Sequence, residues 1–392
     1  MREVLDQLSA WLAAGEDVAV CTVVDTWSSA PRLPGATMIV GPGGVVAGSV
    51  SGGCVEGAVY ETAQAVLETG QPALERFGVS DDDAFAVGLT CGGILDVYVE
   101  RWGPRTYADL DRLLAGIETG VPVALATVID HPDPDRIGAH LVVGASDAVP
   151  ADRAGTLGSA RSDAAIHDDV LGLLATGRTA SRTYGPDGER LGTQMRVLVR
   201  SFAPRPRLIV FGAIDFAAAV ARVGRFLDYR VTVCDARPVF ATRARFPDAD
   251  EVIVRWPHSY LQEEIDGGRI DQRTALAVLT HDPKFDIPLL TTALRHPDLA
   301  YIGAMGSRRT HEDRVSKLRA NGVTSLQLER LSSPIGLDIG ARTPEETAVS
   351  IAAELISQRW GGSGRPLGAL AGPIHHACEP QSLQRVLEDP AS

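Results

Sequence analysis

The sequence is poor in three features: cysteine, positive charge and long hydrophobic runs. Five cysteines in 392 residues form an odd, sparse set that favours reduced thiols over a disulfide framework. Lys and Arg number 37 against 50 for Asp and Glu, so the net charge of −13 argues against nucleic acid or an anionic membrane as the main partner. No apolar run approaches the about 20 residues that span a bilayer. Since no basic patch followed by an apolar block opens the sequence, we expect a cytoplasmic protein.

The remaining composition is that of a globular chain. The sequence is 45% hydrophobic and 22% charged, which excludes an extended disordered chain or a fibrous repeat. At about 100–200 residues per domain, its length predicts two or three domains.

The first two hundred residues contain a tandem duplication. Three stretches of the first copy, 15–25, 35–41 and 47–78, align in order on 120–130, 138–144 and 154–185. Apolar residues at helical spacing precede both copies, and β-branched runs within them are typical of buried strands. We therefore predict two α+β modules, over residues 1–104 and 105–203.

The second copy keeps the scaffold residues and loses the polar and thiol-bearing ones. The run SVSGGCVEG at 49–57 becomes TLGSARSDA, so Arg161 stands where the first copy has Cys54. The run TCGG at 90–93 becomes RLGT. This contrast indicates chemistry in the first module and a structural role for the second.

The surroundings of Cys54 suit an anion and a thiolate. Gly52 and Gly53 let backbone N–H groups approach an anion closely, and residues 55–69, stopped by a glycine, predict a helix. A thiol in the first turn of that helix faces the positive end of the helix dipole, which favours the thiolate. Cys54 is thus a candidate metal ligand, sulfur carrier or nucleophile, and Cys91 is a second candidate. The alternative for both is a small buried side chain at a tight turn.

After a Pro-Arg-Pro linker the pattern changes to alternating strands and helices. An apolar strand runs through Gly212 into a helix predicted at 216–227, and the next strand ends in Asp235. Strand, glycine turn, helix, strand and acid in this order begin a Rossmann unit. Further strands are predicted at 251–254, 275–279 and 300–302. We therefore predict a Rossmann-like, doubly wound parallel sheet over residues 204–360, followed by a tail over 361–392.

The first turn of this domain departs from the dinucleotide fingerprint. Gly212 can make the tight turn, but Ile214 stands where a second glycine would let a pyrophosphate approach. Ordinary NAD(P) binding is therefore doubtful, although Asp235 occupies the position that binds ribose. A mononucleotide, another phosphate-bearing cofactor, and a turn that binds nothing are the alternatives.

Polar residues cluster where strands of this domain are predicted to end. They are Thr280, His281 and Asp282 after one strand and Gly306, Ser307, Arg308 and Arg309 after another. Because ligands of open α/β sheets lie over the carboxyl ends of the strands, we expect these residues and Asp235 to face one crevice. The glycine, serine and arginines suit a phosphate or a carboxylate. His281 is a candidate acid–base group or metal ligand; a structural histidine and a solvated arginine face are the alternatives.

Several longer motifs in both halves resemble one known family. They are VVDTWSSAPRLPGA at 23–36, GSVSGGCVEG at 48–57, GLTCGG at 88–93, THD at 280–282, YIG at 301–303, GSRR at 306–309 and PIGLDIGA at 334–341. These motifs resemble the XdhC and CoxI family of xanthine dehydrogenase accessory proteins. The resemblance implies a chaperone that binds the molybdenum cofactor, protects it during sulfuration and passes it to a molybdenum hydroxylase of the xanthine dehydrogenase type.

The resemblance also implies particular contacts and partners. The implied cofactor contacts are Ser51, Gly52, Gly53, Cys54, Glu56 and Cys91, with Cys54 as an indirect contact to the metal. The phosphate of molybdopterin suits a glycine-rich turn, and its metal suits a soft thiolate. The implied partners are an apo molybdenum hydroxylase and a sulfurating enzyme, and we expect a homo-oligomer. A self-contained xanthine dehydrogenase is not expected, because the chain is short and has no cysteine spacing for iron–sulfur clusters.

Two other classes of function stay open from the residues themselves. An NAD(P)-dependent oxidoreductase would use Asp235 on the ribose and His281 as an acid. A cysteine-based hydrolase or sulfurtransferase would use Cys54 together with a base from elsewhere in the fold.

Overall fold

The computed structural model of the protein describes residues 2–27, 32–78, 93–103, 109–144 and 153–371. These residues form two compact units, of which the first ends at Pro204 and the second begins at Arg205. The first unit contains two antiparallel sheets of equivalent strand order, and the second contains one parallel sheet. The fold class predicted from the sequence, duplicated α+β modules followed by a Rossmann-like domain, is confirmed.

The first module contains two helices and a five-stranded sheet. Its elements are α1 (Leu5–Ala13), β1 (Val18–Trp27), β2 (Thr37–Val40), β3 (Val46–Gly48), α2 (Glu56–Thr69), β4 (Ala73–Phe77) and β5 (Ile94–Trp102). The strand order is β3-β2-β1-β5-β4, with every neighbouring pair antiparallel. β1 continues three residues past the predicted apolar run, because residues 25–27 pair with β5 beyond a bulge after Val23.

The second module repeats this plan. Its elements are α3 (Leu110–Thr119), β6 (Val123–Asp130), β7 (His140–Gly144), β8 (Arg153–Thr156), α4 (Ala160–Thr176), β9 (Ala180–Tyr184) and β10 (Met195–Phe202). The strand order, β8-β7-β6-β10-β9, is that of the first module position by position.

The sheet of the first module is covered on both faces. Along β1, Cys21 and its odd-numbered neighbours pack with α2, whereas Val20 and Val18 pack with residues of the second module. Both sets are fully buried. Burial on both faces explains why β1 reads as a continuous apolar run and not as an alternating pattern.

Charged side chains at equivalent positions of the two modules pair with each other. Glu100 on β5 and Arg200 on β10 are both nearly fully buried, with Oε1 and Nη2 2.5 Å apart. Asp96 and Arg196, four residues earlier on the same two strands, are also at equivalent positions and lie 2.9 Å apart. The modules have therefore acquired opposite charges where their sheets meet.

The second unit alternates strands and helices. Its elements are β11 (Arg207–Phe211), α5 (Asp215–Phe226), β12 (Arg230–Asp235), β13 (Glu251–Val254), α6 (Pro257–Asp266), β14 (Ala275–Val278), α7 (Pro283–Arg295), β15 (Tyr301–Ala304), α8 (Arg308–Ala320), α9 (Ser325–Leu328), β16 (Leu331–Ser332) and α10 (Pro344–Trp360). The order β13-β12-β11-β14-β15-β16 is parallel throughout. One sheet face packs on α5 and α10, the other on α6 and α7. The chain reverses direction across the sheet between β11 and β14, which is where such folds bind ligands.

Candidate functional site

The sheet topology brings the motif-bearing loops of the first module to one edge. β1 and β3 are each antiparallel to β2, so both end at the same edge of the sheet. β5 is antiparallel to β1, and Ile94 at its start pairs with Trp27 at the end of β1. The loop at 49–55 follows β3 and therefore lies at the edge where the chain leaves β1 and enters β5. Cys91 lies outside the described residues.

The carboxylate of Glu56 occupies the glycine-rich loop. Its Oε1 accepts hydrogen bonds from Ser51 N at 2.9 Å, Gly52 N at 3.0 Å and Ser49 Oγ at 2.6 Å. Its Oε2 accepts from Gly53 N at 2.8 Å and from Ser51 Oγ at 2.6 Å. The N–H groups that the sequence predicts to face a ligand anion thus face a carboxylate of the same chain.

This arrangement keeps Glu56 ionised. Burial acts to raise the pKa of Glu56, but the hydrogen bonds from Ser49 and Ser51 outweigh it and lower the pKa to about 2. Gly52 and Gly53 have φ angles of +85° and +120°, a backbone conformation that other residues rarely adopt. The glycines are therefore required by the loop conformation itself, which curls around the carboxylate.

Cys54 lies near the C-terminal end of the same loop, two residues before α2. Its backbone N–H and that of Val55 donate to Ser51 Oγ at 3.0 and 3.1 Å, so Ser51, itself buried, caps the chain just ahead of α2. The helix begins at Glu56, which puts Cys54 before the helix and not in its first turn as the sequence suggested. Its side chain is partly buried against the module core.

The other described cysteines differ from Cys54. Cys21 in β1 and Cys234 in β12 are fully buried, and burial raises the pKa of each thiol to about 12. Neither can present a reactive thiol at the surface. Cys54 is therefore the described cysteine whose position suits a ligand.

In the second module, an arginine closes the loop that is equivalent to 49–55. Arg136 donates to Leu157 O at 2.6 Å, to Ser162 Oγ at 2.9 Å and to Pro186 O at 2.6 Å, tying three segments together. Its guanidinium fills the space above Gly158, where a Cβ would lie 2.3 Å from Nε. In the first module Leu33 stands at the aligned position and is 55% exposed.

The carboxylate anchor is shared by both modules, although the thiol is not. Asp163 aligns with Glu56, and its Oδ1 accepts a hydrogen bond from Leu157 N at 2.7 Å. Leu157 N itself aligns with Val50 N, which lies 3.3 Å from Glu56 Oε1. An acid at the start of the second helix is therefore part of the scaffold, and the open loop around Cys54 is specific to the first module.

An exposed aromatic side chain lies at the same edge of the sheet as Cys54. Trp27 is 41% exposed, and the guanidinium of Arg76 stacks 4.8 Å from the centre of its ring. Arg76 is held in turn by Asp96, at 2.7 Å. Burial acts to raise the pKa of Asp96, but the hydrogen bonds from Arg76 and Arg196 lower it overall.

In the second unit, the acid predicted to bind ribose is engaged internally. Asp235 Oδ2 accepts from Ala213 N and from Arg237 Nη2, both at 2.8 Å, while Oδ1 accepts from Arg237 N and Nε at 2.9 Å. The side chain of Asp235 is almost fully buried. Although burial acts to raise the pKa of Asp235, these hydrogen bonds lower it.

The turn after β11 is likewise occupied by groups of the chain itself. A Cβ on Gly212 would lie 3.0 Å from Thr280 N, so only glycine fits between the two strand ends. Ile214 immediately precedes α5 and packs on the core, while Arg245 donates to Ala213 O at 3.0 Å. The N–H of Ala213 already donates to Asp235 and is not available to a ligand. These residues therefore do not fit a dinucleotide pyrophosphate.

A buried polar network ties the carboxyl ends of three strands, and two of its members were not predicted from the sequence. Thr280 Oγ1 donates to Asp286, which also accepts from Arg314 Nη2 at 3.1 Å. Arg314 reaches Met305 O at 2.8 Å and Ser333 Oγ at 2.9 Å. Burial raises the pKa of Asp286. The helical spacing of the sequence could have revealed Arg314, because it stands four residues before the buried Leu318 and therefore on the same inward face of α8.

The other predicted residues at this edge have mixed roles. Asp282 and Ser307 cap α7 and α8, accepting from Lys284 N at 3.0 Å and Thr310 N at 3.1 Å. Gly306, beside Ser307, is partly buried. His281, Arg308 and Arg309 are exposed, and neither arginine forms an ion pair with another residue in the described part of the chain.

Two further features are missing from the described ranges. No helix there is both long and apolar enough to cross a membrane. No three His, Cys, Asp or Glu side chains in those ranges converge in a way that could hold a metal ion.

The architecture is that of a duplicated module joined to a Rossmann domain, with an open thiol loop in one copy. The model of the XdhC and CoxI family matches residues 11–78 and again residues 117–185, once in each module. The model of the XdhC Rossmann domain matches residues 208–355. The chain therefore belongs to the XdhC and CoxI family, as its motifs predicted.

Individual relatives match nearly the whole chain. It is 28% identical over 354 residues to a probable xanthine dehydrogenase subunit of Bacillus subtilis, covering 90% of this chain and 96% of the relative. It is 25% identical over 348 residues to the molybdenum cofactor insertion chaperone PaoD of Escherichia coli, covering 89% and 85%. A solved structure of a xanthine dehydrogenase from Bacillus halodurans matches with a TM-score of 0.63 at 25% identity, covering 90% of this chain and 95% of that one.

Proposed function

We propose that this protein is an accessory factor that binds the molybdenum cofactor through the Cys54 loop and helps to insert it into a molybdenum hydroxylase of the xanthine dehydrogenase type. Its similarity to a molybdenum cofactor insertion chaperone over 89% of the chain supports the class of function. The cofactor is cargo here, and the client enzyme carries out the chemistry.

One observation supports the choice of site above the others. Within a single chain, the loop at 49–55 carries Cys54 and has the exposed Leu33 at the position from which Arg136 closes the aligned loop of the second module. The two loops share their scaffold and their carboxylate anchor, so the difference does not come from folding requirements. It matches a division of labour in which the first module binds and the second supports.

The groups around the open loop suit the metal-bearing end of such a cofactor. Thiolate sulfur is a soft ligand that is well matched to a metal held through sulfur. Trp27 offers an exposed aromatic face at the same edge of the sheet, which suits a planar heterocycle. The bound cofactor would bring its metal and sulfur chemistry to the client, while this chain positions and shields it.

The residues at the carboxyl edge of the Rossmann sheet have a secondary place in the proposal. Arg308 and Arg309 are exposed at the start of α8, so they are candidates for contact with an anionic group of the cargo or of the client. The sulfurating enzyme that the family resemblance implies would meet the Cys54 loop.

The two competing functions find less support. An NAD(P)-dependent oxidoreductase would need Asp235 and the Ala213 amide, which bind each other. A sulfurtransferase would need a base beside Cys54, and the oxygens of Glu56 are occupied by hydrogen-bond donors of the loop.

The test compares retention of the cofactor by three proteins. Wild type, Cys54→Ala and Arg161→Ala are loaded with molybdenum cofactor and desalted, and bound molybdenum and pterin are measured. Arg161 is a matched control because it aligns with Cys54 in the second module and is exposed. We expect Cys54→Ala to lose most of the retained cofactor and Arg161→Ala to behave as wild type. Equal retention by wild type and Cys54→Ala would exclude this loop as the site.

A further inference from the structure

The loop that presents Cys54 is built around an anion that belongs to the chain. Glu56 Oε1 and Oε2 together accept hydrogen bonds from four backbone N–H groups, of residues 50–53, and from the hydroxyls of Ser49 and Ser51. Consecutive N–H groups that converge in this way form a nest for one anionic group. The nest is thus filled before any ligand arrives.

A second anion would find the N–H donors of this loop already engaged. The donors of residues 51–53 are already directed at Glu56, and a phosphate brought beside that carboxylate would meet a like charge. Cys54 follows directly after these residues, and its own N–H is held by Ser51. The position of the thiol therefore depends on the carboxylate through a single short loop.

We infer that Glu56 is a positioning residue: its carboxylate is a permanent occupant of the nest at 50–53, fixes the backbone of Cys54 through this loop, and excludes phosphate from the loop. The inference deepens the proposed function and rests on it in one respect, the identity of the cargo. A cofactor with a phosphate at one end and a sulfur-bound metal at the other would then meet this loop through its metal end.

The second module has an equivalent carboxylate at the start of its second helix, but the loop before that helix carries no thiol. Asp163 is one methylene shorter than Glu56, and its bond to Leu157 N is the equivalent of a peripheral contact of Glu56. The hydroxyl of Ser159 caps that helix. Asp163→Ala therefore removes a carboxylate at the equivalent place without touching the thiol loop, which makes it a matched control.

The test measures how fast iodoacetamide labels Cys54 in the full-length protein without cofactor, with the label assigned by peptide mass spectrometry. Glu56→Ala frees the loop from its carboxylate, so we expect labelling at least about tenfold faster, the factor that loss of one hydrogen bond to a charged group can produce. Formate fits the vacated nest and should restore the wild-type rate with a saturable dependence. Wild type and Asp163→Ala should not respond to formate.

Glu56→Gln and inorganic phosphate complete the test. Glu56→Gln fills the space with an uncharged group, so its labelling should be fast and insensitive to formate, and it serves as the second variant if Glu56→Ala fails to fold. Wild-type labelling in either variant, or fast labelling in Glu56→Ala that formate leaves unchanged, would overturn the inference. So would protection of wild-type Cys54 by phosphate. Because no cofactor is present, failure of cofactor retention would count against the proposed function alone.

Discussion

The ion pair between the two modules gives a prediction whose size can be worked out from its burial. Arg200 Nη2 lies 2.5 Å from Glu100 Oε1 and 3.3 Å from Thr127 Oγ1, and its guanidinium lies 5.0 Å from the ring of Trp102. The side chains of Arg200 and Glu100 are only 2% and 4% exposed. Arg200→Met therefore removes the ion-pair partner that β10 supplies to the buried Glu100.

Removing one partner of a buried pair costs about 3–5 kcal/mol, whereas replacing both by apolar side chains is often neutral or stabilising. We expect Arg200→Met to lower the free energy of unfolding of the first unit by about 3–5 kcal/mol. Adding Glu100→Met should recover most of that loss. The difference between the single and the double variant measures the cost of burying Glu100 without Arg200.

The assay is urea unfolding of the full chain, with hydrogen exchange of β5 and β10 to assign the transition to the first unit. The control is Arg230→Met, which breaks the half-exposed pair with Glu251 in the second unit and should cost less than about 1 kcal/mol. An Arg200→Met variant as mild as Arg230→Met, or a double variant less stable than the single one, would refute this prediction.

Two other predictions follow from the internal carboxylates. The pKa of Glu56 is lowered to about 2 from 4.5, so its stabilisation is full above about pH 4.5 and lost as the pH falls towards 2. Unfolding midpoints of wild type and Glu56→Gln should therefore converge on acidification, and a constant difference would contradict this. Ile214→Gly should not create NADH binding, because Asp235 still holds the Ala213 amide; saturable fluorescence enhancement with a Kd below about 1 mM would contradict that account.

The sequence predicted the arrangement of elements well, because both sheets of the first unit are covered on two faces. Complete burial makes β1 a continuous apolar run, and the same run recurs in β6, so the duplication is visible without any structure. The parallel sheet was predictable for the same reason, from alternating apolar strands and amphipathic helices.

The candidate site was predictable only in part, because a sequence shows which groups can donate but not which acceptor reaches them. Glycines at 52 and 53 indicated an anion nest, yet the anion is Glu56, three residues further along. Asp235 was expected to bind ribose, yet Arg237, two residues later, takes both of its oxygens. In both cases a nearby residue of the chain competes successfully with a ligand, since its effective concentration is far higher.

The pairing of Glu100 with Arg200 has a consequence for how the two modules depend on each other. Two copies of the first module, placed as the two modules are now, would bring glutamate against glutamate in a dry interface, and two copies of the second would bring arginine against arginine. Each module thus supplies the charged side chain that neutralises the buried charge of the other. The second module, which has no cysteine in its own loop, thus supplies the arginine that neutralises the buried Glu100 of the first.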